Sequence, residues 1–192
     1  MTPNRLGLLA LTLCLGISGC TSVVNASRES PIQDDRGTRT FGSKIDDSLI
    51  ETKVGVNVAK ANPDLDNKSH IVVSSFNGVV LLAGQTPRAD LKAQAEQAAA
   101  AVQRVKTVHN ELQVMQPSSL LARNNDAWLT TKIKTQMLAD ANIPGSRIKV
   151  VTENGIVYLL GLVTQGEANA ATSVVQSVSG VQKIVKLFEY ID

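Results

Sequence analysis

Two histidines, two cysteines and a single tryptophan are the residues of this 192-residue chain whose chemistry is least generic. His70 begins a β-branched run, and His109 alternates with Val108 in another. No Asp, Glu or Cys cluster stands at metal-ligand spacing around them. Neither histidine has a serine or cysteine nucleophile motif nearby. The pattern predicts structural histidines, with no catalytic residue, no metal and no cofactor. Gly78, Gly84, Gly155 and Gly161 stand singly, as turn and strand-end glycines do, and form no phosphate-cradling loop.

The cysteines are different, because both lie near the start. Met1 to Arg5 precede an apolar run from about Leu6 that is too short to span a bilayer, where ~20 residues are needed. A short basic start, an apolar core and then small residues have the form of a secretory signal. Cys14 follows the bulky Leu13 inside the apolar core. Cys20 follows Ser18 and Gly19, and Ile17-Ser18-Gly19-Cys20 resembles the bacterial lipobox. That resemblance implies a diacylglyceryl thioether on Cys20, with cleavage leaving it as the first residue. Removal of residues 1–19 would leave no second cysteine, so no intramolecular disulfide is possible.

The chain carries 19 Lys and Arg against 17 Asp and Glu. So even a balance argues against a general nucleic-acid binder, which needs a field strong enough to displace phosphate counterions. No later apolar run is long enough for a transmembrane helix, so the expectation is a chain anchored to a membrane without crossing it.

The elements that position these residues come in two copies, repeating after roughly 80 residues. Asp47 to Val54 matches Asp126 to Ile133, and Val73 to Gly84 matches Val150 to Gly161. Val102, Val105, Val108 and Leu112 match Val178, Val181, Ile184 and Phe188. Each copy opens with a helix after a polar cap, Asp47-Ser48 or Asn125-Asp126. The helix has an apolar stripe, Ile50, Val54 and Val58 or Leu129, Ile133 and Met137. Two β-branched runs then flank Asn-Gly, the strongest short hairpin signal. A second helix starts at Thr86 with Pro87, or at Thr164 with Glu167 three residues on, a capping box. A last strand, Thr107–Val114 or Lys183–Ile191, closes the unit.

The fold class is therefore α+β: two tandem αββαβ units, each a three-stranded mixed sheet covered by two helices. The expected division is a signal peptide over 1–19 and a lipidated N-terminus with a flexible tether over 20–44. The first unit then covers 45–115, a linker 116–124 and the second unit 125–192. Units of this size are small for independent stability, so the two are expected to pack on one another.

Tandem units with the Asn-Gly hairpin, the Gly84 and Gly161 strand ends and the Val178-Ser179-Gly180-Val181 turn resemble BON domains. With the signal, lipobox and polar tether, the whole chain resembles the DolP family of outer-membrane lipoproteins. Its most specific stretch is Asn125 to Lys134. One departure is Arg104, standing where copy two has Gly180. The resemblance implies a non-enzymatic lipoprotein that faces the periplasm, supports envelope integrity and gathers at division sites. Thr21, not Asp, follows Cys20, which under lipoprotein sorting rules implies outer-membrane delivery.

On the first helix of copy two, at 100° per residue, Leu129, Ile133 and Met137 lie roughly 100° to 180° from Trp128. Lys132, Thr135, Leu138 and Ala139 share the tryptophan's own sector. Two readings stand. Trp128 packs against copy one or the linker, or it meets a membrane at headgroup level, with Leu138 inserting and Lys132 and Lys134 on anionic headgroups. The family resemblance implies phospholipid binding on this helix, with Trp128, Leu138, Lys132, Thr135 and Lys134 as its residues. Copy one places Leu49, Lys53, Val56 and Lys60 in the equivalent sector, with no aromatic, so copy two alone is expected to bind. A protein-binding adaptor for outer-membrane assembly or peptidoglycan-associated proteins is the alternative.

Overall fold

The computed structural model describes residues 37–192. Copy one opens with α1, Phe41–Ala61, capped by Thr40, whose side chain accepts the Ser43 N–H at 3.1 Å. The helix thus begins inside the segment expected to be tether, before the expected cap at Asp47. A short α2, Pro63–Asn67, follows, started by Asn62 accepting the Asp64 N–H and by proline at its first turn. Strands β1, His70–Phe76, and β2, Val79–Thr86, pair antiparallel across the Asn-Gly turn. Asn77 and Gly78 both hold positive φ, 53° and 79°, as a two-residue hairpin of this kind demands.

β2 runs through Thr86, so α3 begins later than the Thr86-Pro87 signal suggests, at Ala89–Ala100. The reason is pairing: Thr86 lies opposite Val114 in the sheet. The closing strand is broken into β3, Thr107–Asn110, and β4, Gln113–Val114, both parallel to β2. Between them Leu112 turns into the core.

Copy two repeats the plan. α4, Leu120–Ala139, is capped by Ser119 and again starts earlier than the sequence pattern suggests, inside the expected linker. A 3₁₀ turn, Gly145–Arg147, leads to β5, Ile148–Glu153, then β6, Ile156–Val163. α5, Gln165–Ser177, carries the expected capping box between Thr164 and Glu167, and β7, Lys183–Tyr190, lies parallel to β6.

Asp47 and Asp126 are not helix caps. Both are buried within their helices and turned onto the hairpins. Asp47 accepts the N–H groups of Asn77 and Gly78, each at 2.9 Å, and the Ser75 hydroxyl at 2.7 Å. Asp126 accepts those of Asn154 and Gly155 at 2.8 and 2.9 Å. One carboxylate in each copy locks helix to turn.

The middle strands β2 and β6 are apolar on both faces, as strands buried on both sides must be. Val80 and Leu82, or Val157 and Leu159, face their own helices. Leu81 and Ala83 meet Tyr158 and Leu160, with Phe76, in a third core between the two sheets. Burial there pushes the Tyr158 phenol up to about 12. The polar rim of this contact is nearly twofold. Asn77 Nδ2 donates to Glu189 at 3.0 Å, and the matching Asn154 Nδ2 donates to Gln113 Oε1 at 3.2 Å. Each hairpin asparagine reaches the last strand of the other copy.

Candidate lipid-contact site

α4 is held on two sides. Leu129, Ile133 and Met137 pack inward against β5 and α5, and Thr130 Oγ1 donates to Thr152 Oγ1 on β5 at 2.8 Å. With the Asp126 clamp, these contacts leave one rotational setting for the helix. Its outer face is set by subtraction.

That face carries Trp128, 56 % exposed, and Leu138, 62 % exposed. The tryptophan is thus not enclosed between the two copies. The Lys132 ammonium lies 5.0 Å from the indole centroid, a cation–π geometry that keeps the lysine stem against the ring. Thr135 is exposed, its hydroxyl turned back to the Thr131 carbonyl at 2.9 Å. Lys134 is also exposed but sits roughly 120° round the helix from Trp128, on the flank. The structure therefore brings Trp128, Lys132, Thr135 and Leu138 onto one surface and leaves Lys134 at its margin. Cys20 lies outside the described residues.

Two residues of this surface escape the sequence reading. Leu120 and Leu121 are 75 % and 80 % exposed and fall in the same sector, both about two turns before Trp128. Placing them in a linker hid them. Their signal was present: Ser119 is a good N-cap, and the apolar sector continues through it. Copy one carries a parallel correction, since α1 begins at Phe41 and so puts an aromatic, with Ile45, into the sector expected to have none.

His70 Nε2 lies 3.3 Å from Glu153 Oε1 across the junction of the copies, and both groups are largely buried. Burial raises the Glu153 carboxyl above its ordinary 4.5, the His70 ring works against this, and the nearby Asp126 charge adds to it. Arg104 takes the left-handed conformation of its counterpart, φ 73° against 101° at Gly180, so the turn is the same in both copies. No group of His, Cys, Asp and Glu among the described residues is arranged to hold a metal ion, and none of their helices is long and apolar enough to cross a membrane.

The BON domain family matches residues 46–116 and 125–192. Outer membrane lipoprotein DolP of Haemophilus influenzae is 37 % identical over 194 residues, covering 100 % of both chains. The 21 kDa hemolysin of Actinobacillus pleuropneumoniae is 34 % identical, over 80 % of this chain and 78 % of its own. Osmotically-inducible protein Y of Escherichia coli is 29 % identical, over 96 % of each. Two matched domains and an end-to-end relative give one conclusion: the chain belongs to the BON-domain family and, within it, to the DolP family of outer-membrane lipoproteins.

Proposed function

We propose that this protein is a non-enzymatic, periplasm-facing lipoprotein whose α4 surface binds anionic phospholipid of the outer membrane. Cys20, acylated after removal of residues 1–19, is the anchor. BON domains over 45–115 and 125–192 form the body that the tether presents to the membrane, and the output is envelope integrity at division sites. The observation that carries the reading is the outward Trp128 ring with Lys132 against it, flanked by exposed Leu121 and Leu138. Indole favours the headgroup level, the leucines reach the acyl boundary, and lysine neutralises phosphate.

The two kinds of attachment differ in scale. Each buried methylene of an acyl chain contributes ~0.8 kcal/mol, so two or more chains hold the protein without help. A tryptophan and a leucine together add about 2–5 kcal/mol if fully buried. The anchor retains, and the helix selects the lipid.

The test is co-sedimentation of the chain from Thr21, made without its acyl group, with phosphatidylglycerol-containing and with purely phosphatidylcholine vesicles. Anionic vesicles should carry the parent down, and Trp128→Glu should reduce this at least tenfold while circular dichroism is unchanged. Equal binding by parent and variant would sink the assignment.

A further inference from the structure

Copy two leaves open a groove that copy one closes. It runs between α5 and β7, about 430 Å³ in volume, with Thr172 and Gln176 on its helix side and Lys183, Ile184 and Lys186 on its strand side. That volume falls within the range of ligand clefts, roughly 300–1,000 Å³. Ile184 and Phe188 pack toward the core under the helices, so Lys186 between them stands on the same face of the strand.

In copy one the matching positions are filled. Asn110 stands where copy two has Lys186, and Glu96 where it has Thr172. Asn110 Nδ2 donates to the Lys92 carbonyl at 2.8 Å and to Glu96 Oε2 at 3.1 Å, stitching strand to helix. The strand then breaks between Asn110 and Gln113, where Leu112 enters the core. β7 has no such break and runs on from Lys183 to Tyr190.

The edge beside the groove has unused backbone. β7 is the last strand of its sheet and pairs only with β6 among the described residues. Gln182 donates its N–H to Gly155 at 2.8 Å, so by the alternation of the ladder those of Lys183, Val185 and Leu187 point away from β6. Such an edge accepts an extended chain as a further strand. Main-chain bonds then supply affinity, and the adjoining groove reads alternate side chains.

Charge selects the chain. Lys183 and Lys186 are exposed, and neither makes an ion pair among the described residues. The acids of α5 and β7 are committed, Glu167 to Arg147 and Glu189 to Asn77. A second copy adding β7 to β7 would oppose lysine to lysine. None of the large apolar side chains exposed among the described residues lines the groove, so it offers a bilayer nothing to insert. An acidic peptide meets each demand.

We propose that the α5–β7 groove binds an extended, acidic segment of a partner protein, which adds to β7 as a strand and sets a carboxylate on Lys186. The site is separate from the α4 surface and does not depend on its membrane reading.

The probe is a phage-displayed library of random peptides, panned on the unacylated chain from Thr21. Enriched peptides should carry acids in an extended, proline-free stretch and should slow deuterium exchange at the Lys183, Val185 and Leu187 amides. Thr172→Glu with Lys186→Asn, which copies the closed arrangement of copy one, should cut peptide affinity at least tenfold with circular dichroism unchanged. Lys186→Ala alone, an exposed change, should cut it several-fold. No enrichment, peptides without acids, protection falling elsewhere, or variants that bind as the parent does would each overturn the proposal. β7 amides already protected in the free chain would give the edge to this chain's own N-terminal segment or to a second copy, and overturn it too. Binding to phosphatidylglycerol vesicles that is lost in Lys186→Ala while peptide affinity holds would make the groove a lipid contact instead.

Discussion

The carboxylate of Asp126 accepts the N–H of Gly155 at 2.9 Å, joining the middle of α4 to the tip of a hairpin 29 residues away. The second oxygen takes the Asn154 N–H at 2.8 Å. Because both contacts are charge-assisted and Asp126 is buried, removing the carboxylate leaves two turn amides without their acceptor. Asp126→Ala should lower unfolding free energy by about 2–4 kcal/mol in urea titrations. Asp126→Asn, which keeps one acceptor, should lose less. Because the clamp sets the helix, either change should also weaken vesicle binding without touching the lipid-facing residues.

The matching carboxylate gives a pH dependence. Burial works to raise the Asp47 pKa, but the hydrogen bonds from Gly78, Ser75, Asn77 and Arg39 outweigh it and hold the group below its ordinary 3.8. Its stabilisation is complete above that value and is lost as pH falls through the lower folded pKa. Denaturation midpoints should therefore drop below about pH 4 in the parent, and less steeply in Asp47→Asn.

Glu153 has the opposite sign. Its folded pKa is raised, mainly by burial, so the folded state holds the proton more tightly than the unfolded chain does. Its contribution is most favourable below 4.5 and declines as pH rises through the folded value. Glu153→Gln should remove that decline, gaining on the parent between acid and neutral pH. Thermal melts at pH 4, 5.5 and 7 measure it.

Two matched glycines should respond unequally. Gly84 sits at φ 118°, and a Cβ there would lie 2.0 Å from the His70 carbonyl oxygen. At Gly161 the nearest atom, the Arg147 carbonyl oxygen, would be 3.0 Å away and φ is not in the left-handed region. Gly84→Ala should cost more than about 3 kcal/mol or prevent folding, and Gly161→Ala substantially less. Arg104→Gly should be neutral or stabilising by up to about 1 kcal/mol. It relieves a left-handed arginine and gives up only an exposed ion pair with Asp46.

The lipid surface itself makes graded demands. Leu121→Glu and Leu138→Glu should each weaken binding to anionic vesicles as Trp128→Glu does. Lys134→Ala, on the flank, should change it less than twofold at physiological salt. Sedimentation isotherms at 50 and 150 mM salt separate the apolar contribution from the screened one.

Local chemistry made most of the fold readable. Asn77-Gly78 and Asn154-Gly155 dictate hairpins, Thr164 with Glu167 dictates a helix start, and the Ile50-Val54-Val58 spacing dictates a buried stripe. The errors share a cause. Asp47 and Asp126 are good capping residues by type, but their oxygens answer a turn distant in sequence, which no local window reveals. The true caps, Thr40 and Ser119, stand farther back, and overlooking them hid Phe41, Leu120 and Leu121. Thr86 looks like a helix cap, yet its pairing with Val114 keeps it in the sheet. The unbroken apolar run Val79-Val80-Leu81-Leu82-Ala83 has the pattern of a strand buried on both faces, but the reading of two helices on one apolar face covered only one of them. Which surface would cover the second face, and that Glu153 would meet His70 there, followed only from the assembled copies.

Trp128 is the sole tryptophan, so its emission reports the central contact without labelling. The unacylated chain should show a blue shift on titration with phosphatidylglycerol vesicles and quenching by lipids brominated near the headgroup, with neither effect on pure phosphatidylcholine. An emission maximum that stays that of water-exposed indole while the protein co-sediments with anionic vesicles would contradict the account.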